Sequence, residues 1–210
     1  MVEQILLISL IGSVFSLDVT FVGQMLLSRP LVLLTVFGFC FNAPVEGFTL
    51  GVILELICID MLPLGVVIPL DAAIMSSITA GVFFIGVASP VVHNKTIAIL
   101  FAFIVAMSFH VYDLWFKKKS SIFFDYFQAI YKHLDRAVTG VIVGNIIIIV
   151  IRNFVFIALS LGFACFLRDI IFTFLPDMIL NGFIAFDVFL PLLSLVIAFN
   201  LDKFKKIRVW

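Results

Sequence analysis

Charge is scarce in this chain. Asp, Glu, Lys and Arg make up 12% of its 210 residues, against about 25% in a soluble domain. The 13 basic and 13 acidic side chains cancel, and no basic patch argues for nucleic acid. Cysteine is nearly missing too. Cys40, Cys58 and Cys165 all lie in apolar runs and read as small hydrophobes, not as a disulfide set or a metal cluster. His93, His110 and His133 are scattered, each without a carboxylate at ligand spacing, so neither metal nor cofactor is expected. A nucleotide-binding glycine loop and a nucleophile motif are both missing, so the chain is expected to hold no catalytic residues of its own. The N-terminus, MVEQILLISLIGSVFSLDV, lacks the positive n-region and small-x-small cleavage site of a signal peptide, and reads as mature structure.

What fills the chain is oil. Hydrophobic residues make up 64% of it, with 26 phenylalanines, and the mean hydropathy is +1.30. A small domain leaves much of its area exposed, so a chain this apolar needs lipid as solvent. The expected class is all-α: one polytopic integral membrane domain over residues 1–210. A β-barrel is excluded because the runs do not alternate and are too long for barrel strands.

Clean spans are few, since a spanning helix needs about 20 mostly apolar residues. Residues 72–94 hold no formal charge and form the best single span, followed by 96–116. Residues 137–167 are too long for one straight span and carry Arg152 near the middle; a tilted helix plus a second element broken around Gly162 is expected. Residues 182–201 are the last span. The pieces 4–17, 30–45 and 47–62 are short, and read as broken or re-entrant helices or as spans extended by polar residues.

Lysines orient the chain. Lys117–Lys119 follow one span, and Lys203, Lys205, Lys206 and Arg208 close the sequence. Both clusters are expected on the cytoplasmic side, with two spans between them and Trp115 and Trp210 as interface anchors. Residues 121–137 mix Phe123, Phe124, Phe127, Ile130 and Leu134 with charges at helical spacing, which predicts an amphipathic connector helix.

The acids inside the oil are the candidate site. Glu55 sits within an apolar helix, where a charge costs about 2.5–3.5 kcal/mol at the bilayer centre. It serves either as a packing or ion-pair residue, with Arg29 as the natural partner, or as a ligand-binding carboxylate. Asp71 follows a stretch broken by Pro63 and Pro69 and opens the next helix, an N-cap position. Transporters place substrates at such breaks, although an ordinary interfacial cap is the competing reading. Asp60 is five residues past Glu55, roughly 140° around a helix, so the two cannot share a face. Gly47 and Gly51 form a small-xxx-small step that lets this helix approach another closely.

These residues carry a resemblance. SRPLV at 28–32 and EGFTLGVILELICIDMLPLGVVIPLDAAIMSSI at 46–78 resemble the membrane IIC subunit of the mannose-type (mannose, fructose, sorbose) sugar phosphotransferase system. Gly47, Gly51, Glu55, Pro63, Gly65, Pro69, Asp71, Ala72 and Ala73 fall in register with the family motif. A weaker match runs through 174–201. The resemblance implies a sugar-recognising, translocating subunit of the bacterial inner membrane. It implies a IID-type membrane partner, cytoplasmic IIA and IIB phosphocarriers, a hexose or related sugar, and a higher oligomer. The substrate-binding set expected here is Glu55, Asp71, Gly65, Asn42 and Asp60.

The departures are specific. The family's Gly-Asp step is Asn42 and Ala43, its Thr is Glu46, and the second proline of Pro-Pro-Asp is Leu70. A residue that is usually small is Asp60. The chain stops at Trp210, where family members usually continue through another membrane element, so a missing piece is expected from a partner. These departures support a rival reading, a divergent member serving as a scaffold or receptor subunit without transport. A further rival is a cation-coupled transporter using Glu46 and Asp60.

Overall fold

Prolines and one acid set where the short helices begin. Pro30 opens α2 (Pro30–Cys40) and Pro44 opens α3 (Pro44–Cys58), positions where the missing N–H is not needed. Asp71 caps α4 (Ala72–Phe84), accepting from the N–H groups of Ala73 and Ile74. The other helices are α1 (Val2–Phe15), α5 (Lys95–Ile130), α6 (Asp135–Phe174) and α7 (Asp177–Ile207). The computed structural model describes residues 1–18, 26–58, 70–85, 95–130, 135–174 and 177–207, with side chains outside 120–142, 172–173, 177–181, 184 and 200–207.

Among the described residues, two helical stretches are long and apolar enough to cross a membrane: Lys95–Lys119 and Val143–Ile171, with mean hydropathy 2.0 and 2.4. The helices α1 to α4 have 14, 11, 15 and 13 residues. At 1.5 Å per residue each rises about 17–23 Å, short of the ~30 Å hydrocarbon core. The pieces 4–17 and 30–45 thus hold short helices, and 47–62 is helical as far as Cys58, where the described residues stop. α2 and α3 form a hairpin turned at 41–43, where Asn42 takes a left-handed φ of 57°.

Two expectations change. The stretch 72–94 does not form one helix. α4 stops at Phe84, because Ile85 turns extended and the carbonyls of Val82 and Ile85 are taken by Arg168 of α6. A tertiary donor has replaced the next helical turn. Nor does the chain break near Gly162. α6 runs through it for 40 residues, and nothing lies within 4 Å of where a Cβ on Gly162 would sit. Of the connector expected over 121–137, residues 121–130 are helical as part of α5 and 135–137 as part of α6; residues 131–134 and the side chains that would make it amphipathic lie outside the described set.

The core is α4. Every residue from Ala73 to Phe83 is buried, and α1, α2, α3, α5 and α6 all pack on it. Its hydroxyls turn back on their own helix: Ser76, Ser77 and Thr79 donate to the carbonyls of Ala72, Ala73 and Met75 at 2.7–2.9 Å. Small side chains that satisfy themselves suit a helix with no lipid face.

α7 contributes a cap across the fold. Pro191 inside α7 has no N–H for the carbonyl of Asp187 one turn earlier. The Asp187 carboxylate turns to the start of α5, accepting from the N–H groups of Lys95 and Thr96 at 2.9 and 2.8 Å and from the Thr96 hydroxyl. Losing a cap costs about 0.5–2 kcal/mol. Asp187→Ala is therefore expected to lower the melting temperature in detergent, while Asp187→Asn, with one acceptor oxygen in place of two, is expected to lose less.

Candidate functional site

Asp71 is half-buried at the tip of α4. Its Oδ1 accepts from Ala73 N at 3.0 Å and Ile74 N at 3.2 Å, and its Oδ2 accepts from the Ser16 hydroxyl at 2.7 Å. Ser16 in turn accepts from Asn153 Nδ2 at 2.9 Å. Asn153 Oδ1 accepts from Arg152 Nε at 3.0 Å and Nη2 at 2.8 Å. Arg152 Nη1 lies 2.8 Å from Asp113 Oδ1, and Lys117 Nζ 2.6 Å from Asp113 Oδ2. Asp113 Oδ1 is off the hydrogen-bond direction, so the contact with Arg152 is ionic. The guanidinium also sits 4.5 Å from the Phe116 ring centre, within cation–π range. A polar path thus links the end of α1, the tip of α4, the middle of α6 and α5.

Glu55 on α3 faces the start of α2. Its Oε1 pairs with Arg29 Nη1 at 3.1 Å, and its Oε2 receives a long contact, 3.4 Å, from Leu31 N. The pair keeps about a quarter of each side chain exposed, 26% for Glu55 and 24% for Arg29. The hairpin behind it is close-packed at glycine. A Cβ on Gly47 would lie 2.7 Å from Gly38 Cα, and one on Gly51 would lie 2.9 Å from Leu31 Cα.

The family model for the phosphotransferase system sorbose-specific IIC component matches residues 2–201. The chain belongs to this IIC family. It is a sugar-translocating membrane subunit of the phosphotransferase type, multi-pass in the bacterial inner membrane. A solved chain titled "Structure of membrane protein" shares the fold, with a TM-score of 0.73 at 16% identity over 96% of this chain and 80% of that one. No curated protein matches the chain. Family membership implies a sugar substrate and partners of the IID, IIA and IIB kinds.

The expected site residues of this IIC subunit fall in different places. Asp71 is an N-cap tied into a polar path, and Glu55 is an ion-pair partner. Asn42 is exposed at the α2–α3 turn. Its left-handed backbone suits asparagine, which tolerates that conformation better than other non-glycine residues. Asp60, Gly65 and the Pro63–Pro69 break lie outside the described residues. Glu46 pairs with Lys95 at 3.0 Å, which gives it a partner other than a metal cation. Among the described residues no group of His, Cys, Asp and Glu could hold a metal ion.

Ser16, Asn153, Asp113 and Arg168 were not singled out by sequence. Arg152 stood out as a charge inside a span, the one signal that leads to the path. A cleft of about 490 Å³ between α5 and α7 is lined by Thr96, Leu100, Gly182, Phe183 and Phe186. Its walls are almost wholly apolar, whereas a sugar needs convergent polar groups.

Proposed function

We propose that Asp71 and Glu55 are the carboxylates that contact the sugar in this IIC subunit. We further propose that it works beside a IID-type membrane subunit, with IIA and IIB phosphocarriers supplying the phosphoryl group. The observation that carries the proposal is the state of Asp71. It is fixed by two backbone N–H groups at the end of a wholly buried helix, yet its Oδ2 holds a single hydroxyl. An ionised carboxylate offers about four lone-pair sites, so Oδ2 can still accept from a sugar hydroxyl. Glu55 likewise spends Oε1 on Arg29 and leaves Oε2 with only a long contact. A carboxylate suits a sugar because each one can accept from two vicinal hydroxyls.

Asp71→Asn and Glu55→Gln keep shape and remove charge. Asparagine remains a good helix cap, and the Arg29 pair is exposed enough for its loss to be mild. A charge-assisted bond contributes about 1.5–3 kcal/mol, so the affinity for sorbose, fructose or mannose is expected to fall about tenfold to a hundredfold, with near-normal membrane insertion. Unchanged affinity in a folded protein would place the site elsewhere.

The 3.1 Å pair with Arg29 supports a second reading for Glu55 alone, as a strut of the α2–α3 hairpin. Under it, Glu55→Gln lowers folded yield instead of affinity, and the exchanged pair, Arg29→Glu with Glu55→Arg, recovers it.

A further inference from the structure

We propose that Asn153 is a positioning residue for Asp71: it sets the direction of the Ser16 hydroxyl and thereby which acceptor sites of Asp71 stay open to the sugar. The proposal rests on the reading of Asp71 as a sugar-contacting acid. The reasoning begins at Arg152, whose guanidinium has donors and no acceptor. Two of its N–H groups meet Asn153 Oδ1, so the amide must face them with its oxygen. Its NH₂ then points the other way, to Ser16 Oγ at 2.9 Å. A hydroxyl has one proton. With a lone pair of Ser16 filled by the amide, that proton goes to Asp71 Oδ2 at 2.7 Å.

All the bonds from Arg152 to Asp71 therefore run one way, from a cation to a carboxylate. Such a chain polarises along its length. Asn153 and Ser16 are both buried, so the direction is set by the side chains themselves. Arg152 is held at its far end by Asp113 and by the Phe116 ring, which keeps its donors on Asn153.

Direction can be reversed without changing shape. Asn153→Asp still accepts from Arg152 but cannot donate to Ser16. The Ser16 proton is then drawn to the new carboxylate and away from Asp71. Asp71→Asn turns position 71 into a donor toward Ser16 while keeping the helix cap. Together the two substitutions rebuild the path in the opposite sense, from position 71 through Ser16 to position 153.

The test is a double-mutant cycle on the full chain, purified in detergent. It measures melting temperature and the binding of labelled sorbose, fructose and mannose. Each single variant is expected to melt below the wild type, and the double variant above both. Asn153→Asp is expected to weaken binding by about tenfold. The double variant does not recover binding, because the charge at position 71 is gone. Additive melting losses, with Asn153→Asp binding sugar normally and Asp71→Asn weakened, would overturn the positioning role and leave Asp71 as the sugar acid. Non-additive melting with Asp71→Asn binding sugar normally would overturn the sugar role of Asp71, and the positioning role with it.

Discussion

Gly47→Ala is expected to remove most of the folded protein. The added Cβ would press on Leu34 O and come 2.7 Å from Gly38 Cα and 3.0 Å from Gly38 N. These are main-chain atoms, so no rotamer change can relieve the overlap. Overpacking typically costs about 1–3 kcal/mol, and a clash between two helix backbones belongs at or above the upper end. The hairpin of α2 and α3 must open, and the Arg29–Glu55 pair that spans it should separate. The control is in the same chain. A Cβ on Gly144 or Gly162 meets nothing within 4 Å, so alanine there should be neutral or stabilise the helix by about 0.5–1 kcal/mol. Folded yield and melting temperature of the three variants check both halves. Similar losses at Gly47 and Gly162 would show that helix propensity, not close approach, decides.

Arg168→Leu is expected to have the second large effect. Arg168 is 1% exposed, and its Nη1 donates to Val82 O at 2.8 Å and Ile85 O at 2.5 Å. Hydrogen bonds to a charged group contribute about 1.5–3 kcal/mol each. Leucine leaves both carbonyls without that donor inside the protein, so a loss of about 3 kcal/mol or more is expected. Arg168→Lys gives a graded comparison. One ammonium can still serve the carbonyls, but the bonds from Nε and Nη2 to Asp169 are lost. That partner is largely exposed, so the lysine variant should lose much less. Equal melting temperatures for the two variants would refute the capping role.

Much of the candidate site was legible because its signals are local. Asp71 before an Ala-Ala-Ile run reads as a cap, and the structure makes it one. Gly47 and Gly51 read as a close approach, and they meet α2. Glu55 read either as an ion-pair partner of Arg29 or as a ligand acid; the pair is present, and the ligand role stands as a proposal. What was not legible depends on residues far apart in the chain. Asn153 meets Ser16 across 137 positions, and Asp187 caps α5 across 92. Hydropathy counts only the length of an apolar run. It could not see that α4 ends at Phe84 because Arg168 arrives there, or that Gly162 faces open space and has no reason to break α6.

The closed end of α4 also bears on the order in which the protein can be built. Chains generally gain structure from the N-terminus as synthesis proceeds. The last carbonyls of α4 receive their donor from a residue 83–86 positions downstream. Until that residue emerges from the ribosome, α4 has an open end in a setting where unsatisfied backbone is costly. Its burial against α6 must wait as well, since Leu161 is the side chain seated over Gly81. The central helix is thus among the earlier segments made and among the last completed. A nascent chain released before position 168 holds every residue of α4 and lacks the means to finish it.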